Sequence, residues 1–119
     1  MTKMMKTEYR RMFMLTLPIK KQWYDMILSG EKKEEYREIK PYYTKRFLSC
    51  GLLKESDIPE DGKIKISPNG PAIIRLRNGY SASSPSFDVI CDLKIGEGKA
   101  EWGATPGEKY YILEILSIE

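Results

Sequence analysis

The sequence contains no histidine, and its only two cysteines, Cys50 and Cys91, are far apart. Without histidine the chain cannot carry Ser-His-Asp or Cys-His catalysis, or a metal site that uses an imidazole ligand. The cysteines form no CxxC pair, which excludes a structural zinc site, and reduced thiols in a cytoplasm are their simplest interpretation. The sequence therefore predicts a cytoplasmic protein that uses neither a metal nor a cofactor.

Long apolar runs and nucleotide-binding fingerprints are also missing. The longest apolar stretch near the start, MFMLTLPI, is too short for a membrane span. The basic segment before it is followed by no small-residue cleavage site, so we expect neither a signal peptide nor a membrane partner. Neither a phosphate loop nor a GxGxxG sequence occurs.

What is present is the composition of one packed domain with an uneven charge. The chain has 119 residues, of which 41% are hydrophobic; this predicts a polar segment at 1–10 and a single domain at 11–119. Residues 1–46 carry twelve Lys and Arg against six acids, a net charge of +6, whereas residues 47–119 carry a net charge of −3. A basic first half favours an anionic partner such as nucleic acid, although chance clustering on a solvated surface is an equal alternative on charge alone.

Hydrophobic spacing predicts a strand and then a helix at the start of the domain. Met12 to Leu17 is apolar and compatible with a strand. Pro18 suits the first turn of a helix that runs to about Ser29, with Gly30 as a left-handed C-terminal cap. The apolar stripe of this helix consists of Ile19, Trp23, Met26 and Ile27.

The next segment, EKKEEYREIK from Glu31 to Lys40, has the propensity of a helix but almost no apolar face. As a helix it would also place like charges four residues apart. Because Gly30 ends the previous helix and Pro41 disfavours helical geometry at Lys40, we predict a strand. Pro41 to about Cys50 then forms a second, shorter helix that ends at Gly51.

The second half of the chain is predicted to be β. Leu52 to Pro71 reads as a long loop with a short strand at Lys63 to Ser67, and Ala72 to Arg77 and Lys109 to Ile118 read as strands. Between these two strands, apolar residues alternate with a period of two: Phe87, Val89, Cys91, Leu93 and Ile95. Two early helices and several late strands around one small core predict an α+β, barrel-like fold.

The charged segment carries a family signature. Gly30-Glu31-Lys32-Lys33-Glu34-Glu35-Tyr36-Arg37 matches GxKxxExR at all four fixed positions and follows a helix that ends in WYDMILSG. In these features the chain resembles the ASCH family of the PUA-like superfamily over residues 11–118.

The resemblance implies a small PUA-like β-barrel with two short helices and a charged cleft that binds RNA or a modified nucleoside or nucleotide. By position, Lys32, Glu35 and Arg37 would line the cleft, and Gly30 would make the turn that admits them. An arginine fork suits phosphate or a base edge, and a carboxylate can accept a hydrogen bond from an exocyclic amine. A solvated charged segment without a binding role is the alternative.

Aromatic and basic side chains elsewhere extend the list of candidates. Tyr36 and Trp102 are candidate ligand-binding residues because aromatic rings stack on bases, and Arg75 and Arg77 share a strand face that would form a second wall. For the aromatic residues the alternative is burial in the core, and for the arginines it is exposure without a function. Further candidates are Tyr42 and Tyr43 as stacking platforms, and Asn78 and Tyr80 beside the two arginines.

Three functional classes remain open. A binding module for RNA or nucleosides is the first. The second is a hydrolase, because the chain resembles acetylcytidine amidohydrolases around the signature; Lys32 matches their lysine, but Glu35 occupies the position of their threonine, and their later helical glutamate has no counterpart. In that class Lys32 and Glu35 would be catalytic, and a metal-independent ribonuclease could use the same cluster. The third is a protein-interaction domain, which would need an exposed apolar patch.

Overall fold

The computed structural model describes residues 14–55 and 66–119. The elements, in chain order, are β1 (Leu15–Ile19), α1 (Lys21–Leu28), β2 (Glu34–Arg37), α2 (Pro41–Ser49), β3 (Leu53–Glu55), β4 (Ile66–Pro68), β5 (Ala72–Asn78), β6 (Ser86–Glu97), a 3-10 turn (Ala100–Trp102) and β7 (Lys109–Ile118). The fold is α+β, and its curled five-stranded sheet forms a half-barrel with the two helices packed on it.

The five strands lie in the order β1-β5-β6-β7-β2. β1 pairs with β5 in parallel, and every other neighbouring pair in this sheet is antiparallel. β1 and β2 are therefore the two edges. Because the sheet curls, these edges approach each other, and the Arg37 guanidinium on β2 donates a hydrogen bond of 3.0 Å from Nη2 to the Pro18 carbonyl oxygen on β1.

The prediction that Pro18 starts the first helix is wrong. Pro18 belongs to β1, and the helix begins at Lys21. An edge strand tolerates proline because the missing N–H would point away from the neighbouring strand. The carbonyl of Pro18 does point to the open edge, since it accepts the bond from Arg37. Of the predicted strand Met12 to Leu17, Met12 lies outside the described residues.

The strand predicted within EKKEEYREIK is confirmed at Glu34–Arg37, and the second helix is confirmed at Pro41–Ser49. The predicted strands near residues 72–77 and 109–118 are also confirmed. β3 was not predicted; it pairs with β4 in a separate two-stranded sheet. The predicted strand Lys63 to Ser67 lies partly outside the described residues, and its described end falls in β4.

One large apolar cluster joins the sheet to the two helices, and it includes Leu17, Ile74, Leu76, Val89, Leu93, Phe47 and Tyr111. Cys50 and Cys91 are buried thiols within this cluster. The alternation predicted in β6 holds from Val89 to Leu93, but Ile95 is 53% exposed, because β6 extends beyond the cluster. A smaller cluster of Ala104, Tyr110 and Ile112 lies against Tyr36.

Candidate functional site

A left-handed turn after α1 directs the charged segment into the protein. Gly30 has φ of +85°, in the region that L side chains rarely adopt. The backbone N–H of Gly30 donates to the Ile27 carbonyl, and that of Lys32 donates to the Met26 carbonyl. The turn thus folds Lys32 back under the helix, where its side chain is 1% exposed.

Lys32, Glu35 and Arg37 converge on one ion-pair cluster. Lys32 Nζ lies 2.6 Å from Glu35 Oε1, and Arg37 Nη2 lies 2.8 Å from Glu35 Oε2. The Glu35 side chain is 7% exposed and that of Arg37 is 13% exposed. Each oxygen of the buried carboxylate therefore meets its own cation, the arrangement that a desolvated charge requires.

Aromatic rings enclose the buried ammonium group. Lys32 Nζ lies 4.8 Å from the centre of the Trp23 ring and 5.2 Å from that of Tyr36. Burial lowers the pKa of Lys32 below its ordinary value, and the nearby Arg37 charge acts in the same direction, whereas Glu35 opposes both. Lys32 therefore pairs with Glu35 from a buried position behind the surface of the protein.

Arg37 joins the cluster to the two sheet edges. Its Nη2 donates both to Glu35 and to the Pro18 carbonyl, and its guanidinium lies 5.8 Å from the centre of the Tyr43 ring. Its Nε is buried and has no hydrogen-bond partner among the described residues. A buried donor without a partner costs free energy, so an acceptor brought within reach would relieve this cost.

A cleft of about 450 Å³ opens beside this cluster, between the two edges of the sheet. Its volume lies in the usual range for small-molecule sites, roughly 300–1,000 Å³. β1 and the start of α1 supply one side, β2 supplies the floor, and the turns after β5 and β6 supply the rest. The lining residues are Pro18, Ile19, Lys20, Trp23, Glu35, Tyr36, Arg37, Asn78, Gly79, Tyr80, Trp102 and Gly103.

Tyr36 is held rigidly at the floor of the cleft. Its hydroxyl donates to Glu34 Oε1 over 2.8 Å and accepts from the Lys99 backbone N–H over 2.9 Å. Burial raises the pKa of the Tyr36 phenol. A Cβ added at Gly98 would lie 2.6 Å from the Tyr36 ring, so only glycine lets the chain pass this closely.

The structure places the predicted residues in three groups. Glu35, Tyr36, Arg37 and Trp102 line the cleft, and Lys32 lies behind Glu35. Arg75 lies outside the cleft and pairs with Asp88 on the neighbouring strand, with Nε 2.8 Å from Oδ1. Arg77 is also not part of the lining, and its buried Nε has no partner within the described part of the chain.

Of the remaining tyrosine and asparagine candidates, some line the cleft and others lie outside it. Asn78 and Tyr80 line the cleft, and Tyr80 is 90% exposed. Tyr42 lies on the exposed side of α2, where the Arg46 guanidinium stacks 3.5 Å from its ring centre. Tyr43 packs against the core.

Trp23 and Lys20 are among the cleft residues that sequence reasoning missed. Trp23 was assigned to the core, but its ring covers Lys32 and lines the cleft, while Tyr24 and Ile27 carry the buried face of α1. No local pattern separates an aromatic ring that borders a cleft from one in a core. Lys20 was not a candidate; it directly follows β1, because the helix starts later than predicted, and it lines the cleft.

No family model matches the chain, and no curated protein or solved structure matches it significantly. Within residues 14–55 and 66–119, no helix is both long and apolar enough to cross a membrane. In the same ranges, no three His, Cys, Asp or Glu side chains are grouped as metal ligands.

Proposed function

We propose that the chain is an ASCH-like, PUA-like domain whose cleft binds one nucleotide unit of RNA, or a modified nucleoside or nucleotide. The observation that carries the proposal is the convergence of Glu35, Arg37 and the aromatic rings of Trp23 and Trp102 on one hollow. The GxKxxExR match supports the same proposal, because the resemblance implies a charged cleft built from these positions.

The chemistry of the cleft suits a base joined to a charged group. Tryptophan rings offer flat, apolar faces on which any base can stack. Glu35 keeps lone pairs beyond its two ion pairs and can accept a hydrogen bond from an exocyclic amine. Lys20 and Arg37 add positive charge to the lining of the cleft.

Fluorescence anisotropy of a labelled single-stranded oligoribonucleotide tests the proposal. Binding should weaken as salt rises, and Arg37→Ala should lower the slope of log K against log salt by about one. Arg75→Ala is the matched control, since it removes the same charge from a strand position outside the cleft. Binding that ignores salt, or equal effects of the two substitutions, would refute the proposal.

A hydrolase acting on acylated cytidine is the second candidate, and the lowered pKa of Lys32 is the observation that favours it. Against it, the Lys32 ammonium is fully enclosed and bonded to Glu35, so it does not reach a ligand in the cleft. Incubation with acylated cytidines, with Lys32→Ala as the comparison, decides between the two. Release of the acyl group by the wild type alone would establish the hydrolase, and no turnover would remove it.

A further inference from the structure

Hydrogen-bond donors without a partner among the described residues gather around the end of β1. Lys20 makes no ion pair with any described residue, and the side-chain amide of Asn78 makes no hydrogen bond there either. Among the described residues, Arg37 bonds Pro18 and Glu35 only through Nη2, so both N–H groups of Nη1 have no partner there. We call Lys20, Arg37 and Asn78 the donor edge of the cleft.

The register of the strands brings these three residues together. Lys20 follows β1 directly, and Arg37 reaches β1 through its bond to the Pro18 carbonyl. Asn78 is the register partner of Ile19, the last residue of β1. The donor edge is thus a compact group at one side of the cleft.

The carboxylate and the Tyr36 hydroxyl of the cleft wall already bond donors of the protein. Glu35 is the only carboxylate in the lining, and each of its oxygens bonds a cation of the protein. The Tyr36 hydroxyl, a neutral group of the lining, already bonds Glu34 and the Lys99 backbone. The best complement to such a wall is a ligand that supplies acceptor oxygens and negative charge.

Two tryptophan rings line the same cleft as the donor edge. Trp23 and the turn that carries Trp102 are in close contact, since a Cβ added at Gly103 would lie 3.0 Å from the Trp23 ring. A ligand in the cleft can therefore meet both the donors of the donor edge and the flat faces of these rings. A base bearing a phosphate offers a partner to each.

We propose that the donor edge is a phosphate subsite, so that the cleft selects phosphate-bearing nucleotide units over neutral nucleosides. This inference rests on the proposed function and narrows it. The phosphate can come from a free mononucleotide or from the phosphodiester backbone of RNA, and both present the same oxygens to Arg37 and Lys20.

The two tryptophans of the chain, Trp23 and Trp102, both line the cleft, so their fluorescence reports directly on binding there. We would titrate the protein with cytidine, cytidine 5′-monophosphate and a short oligocytidylate. Cytidine monophosphate should bind about tenfold more tightly than cytidine. Lys20→Gln should weaken binding of the monophosphate roughly threefold and weaken that of cytidine much less.

Lys33→Gln is the control, because Lys33 is also exposed, belongs to the charged segment and does not line the cleft. Lys20 is exposed, so its substitution does not threaten folding in the way that a change at Arg37 would. A gain in affinity limited to the oligocytidylate and lost in Lys20→Gln would also support the subsite, with a phosphodiester as its ligand. Equal affinity for all three probes, unaffected by Lys20→Gln, would overturn the subsite and leave the proposed function standing. No response to any probe would overturn both.

Discussion

At the scale of single residues, Glu35 holds the site together. It is the only anion between two buried or nearly buried cations, and both ion pairs depend on it. The Lys32 ammonium has no other hydrogen-bond partner among the described residues, although two rings face it. Loss of Glu35 would leave that charge buried without compensation.

We predict that Glu35→Ala destabilises the protein by about 3 kcal/mol, the cost of an unpaired buried charge. Lys32→Met should cost less than about 1.5 kcal/mol, because methionine fills a similar volume beside the rings and Glu35 keeps its bond to Arg37. Urea unfolding of both variants measures the difference. If the two variants lost the same free energy of unfolding, the buried Lys32 charge would not depend on Glu35 for compensation.

The lowered pKa of Lys32 also leads to a prediction of how the stability of the protein varies with pH. Its pKa in the folded protein is lowered from 10.5, so between the lowered value and 10.5 the unfolded chain binds more protons than the folded one. Stability contributed by this group therefore increases as the pH rises through that window. The free energy of unfolding of the wild type, measured relative to Lys32→Met from neutral pH to about pH 10, should rise. A flat or falling difference would contradict the lowered pKa.

At the scale of elements, the sequence predicted whether a segment is a helix or a strand better than it predicted where the segment begins and ends. The choice of a strand for Glu34–Arg37 was correct because Gly30 and Pro41 are local signals that outweigh the helical propensity of Lys and Glu. The predicted start of the first helix was too early, because Pro18 fits a helix start and an edge strand equally well. Only the parallel pairing with β5, a contact between distant parts of the chain, decides between them.

The candidate site was also predicted only in part: residues close together in the sequence were identified, and residues from distant segments were not. The signature predicted Lys32, Glu35 and Arg37 as neighbours, and local geometry was enough to bring them together. Lys20 and Trp23 could not be predicted as parts of the lining, because the cleft lies between strands that meet only when the sheet curls.

The turn between β6 and β7 provides an element-scale prediction. Gly98→Ala should destabilise the protein by about 2 kcal/mol, because the new Cβ would overlap the Tyr36 ring and Ala104. Gly96→Ala is the matched control, since its Cβ would meet only Ile112 at 3.6 Å. Thermal unfolding should separate the two variants clearly. A stable Gly98→Ala protein would mean that Tyr36 is not held in this position.

At the scale of the whole molecule, the Arg37 side chain links the two edges of the sheet. β1 and β2 are the outer strands of the five, and the bond from Arg37 to the Pro18 carbonyl joins them. The cleft lies beside this contact, so the curl of the sheet and the shape of the cleft depend on the same arginine.

Arg37→Met should therefore cost about 2 kcal/mol, the typical loss for a buried hydrogen-bonded charge. It should also speed hydrogen exchange in β1 and β2. Arg75→Met, which breaks an ion pair on a more exposed arginine, should cost less than about 1 kcal/mol. If the two substitutions cost the same and exchange at the sheet edges is unchanged, the edges do not rely on Arg37.

The central claim is that a nucleotide unit occupies the cleft. The most direct measurement is a two-dimensional ¹H–¹⁵N NMR titration with a short single-stranded RNA, in which the indole N–H signals of Trp23 and Trp102 are followed. Because both rings line the cleft, both signals should shift together with the amides of Arg37 and Asn78, while those of the β3–β4 pair stay in place. Indole signals that do not move while amides elsewhere on the surface shift would contradict the claim.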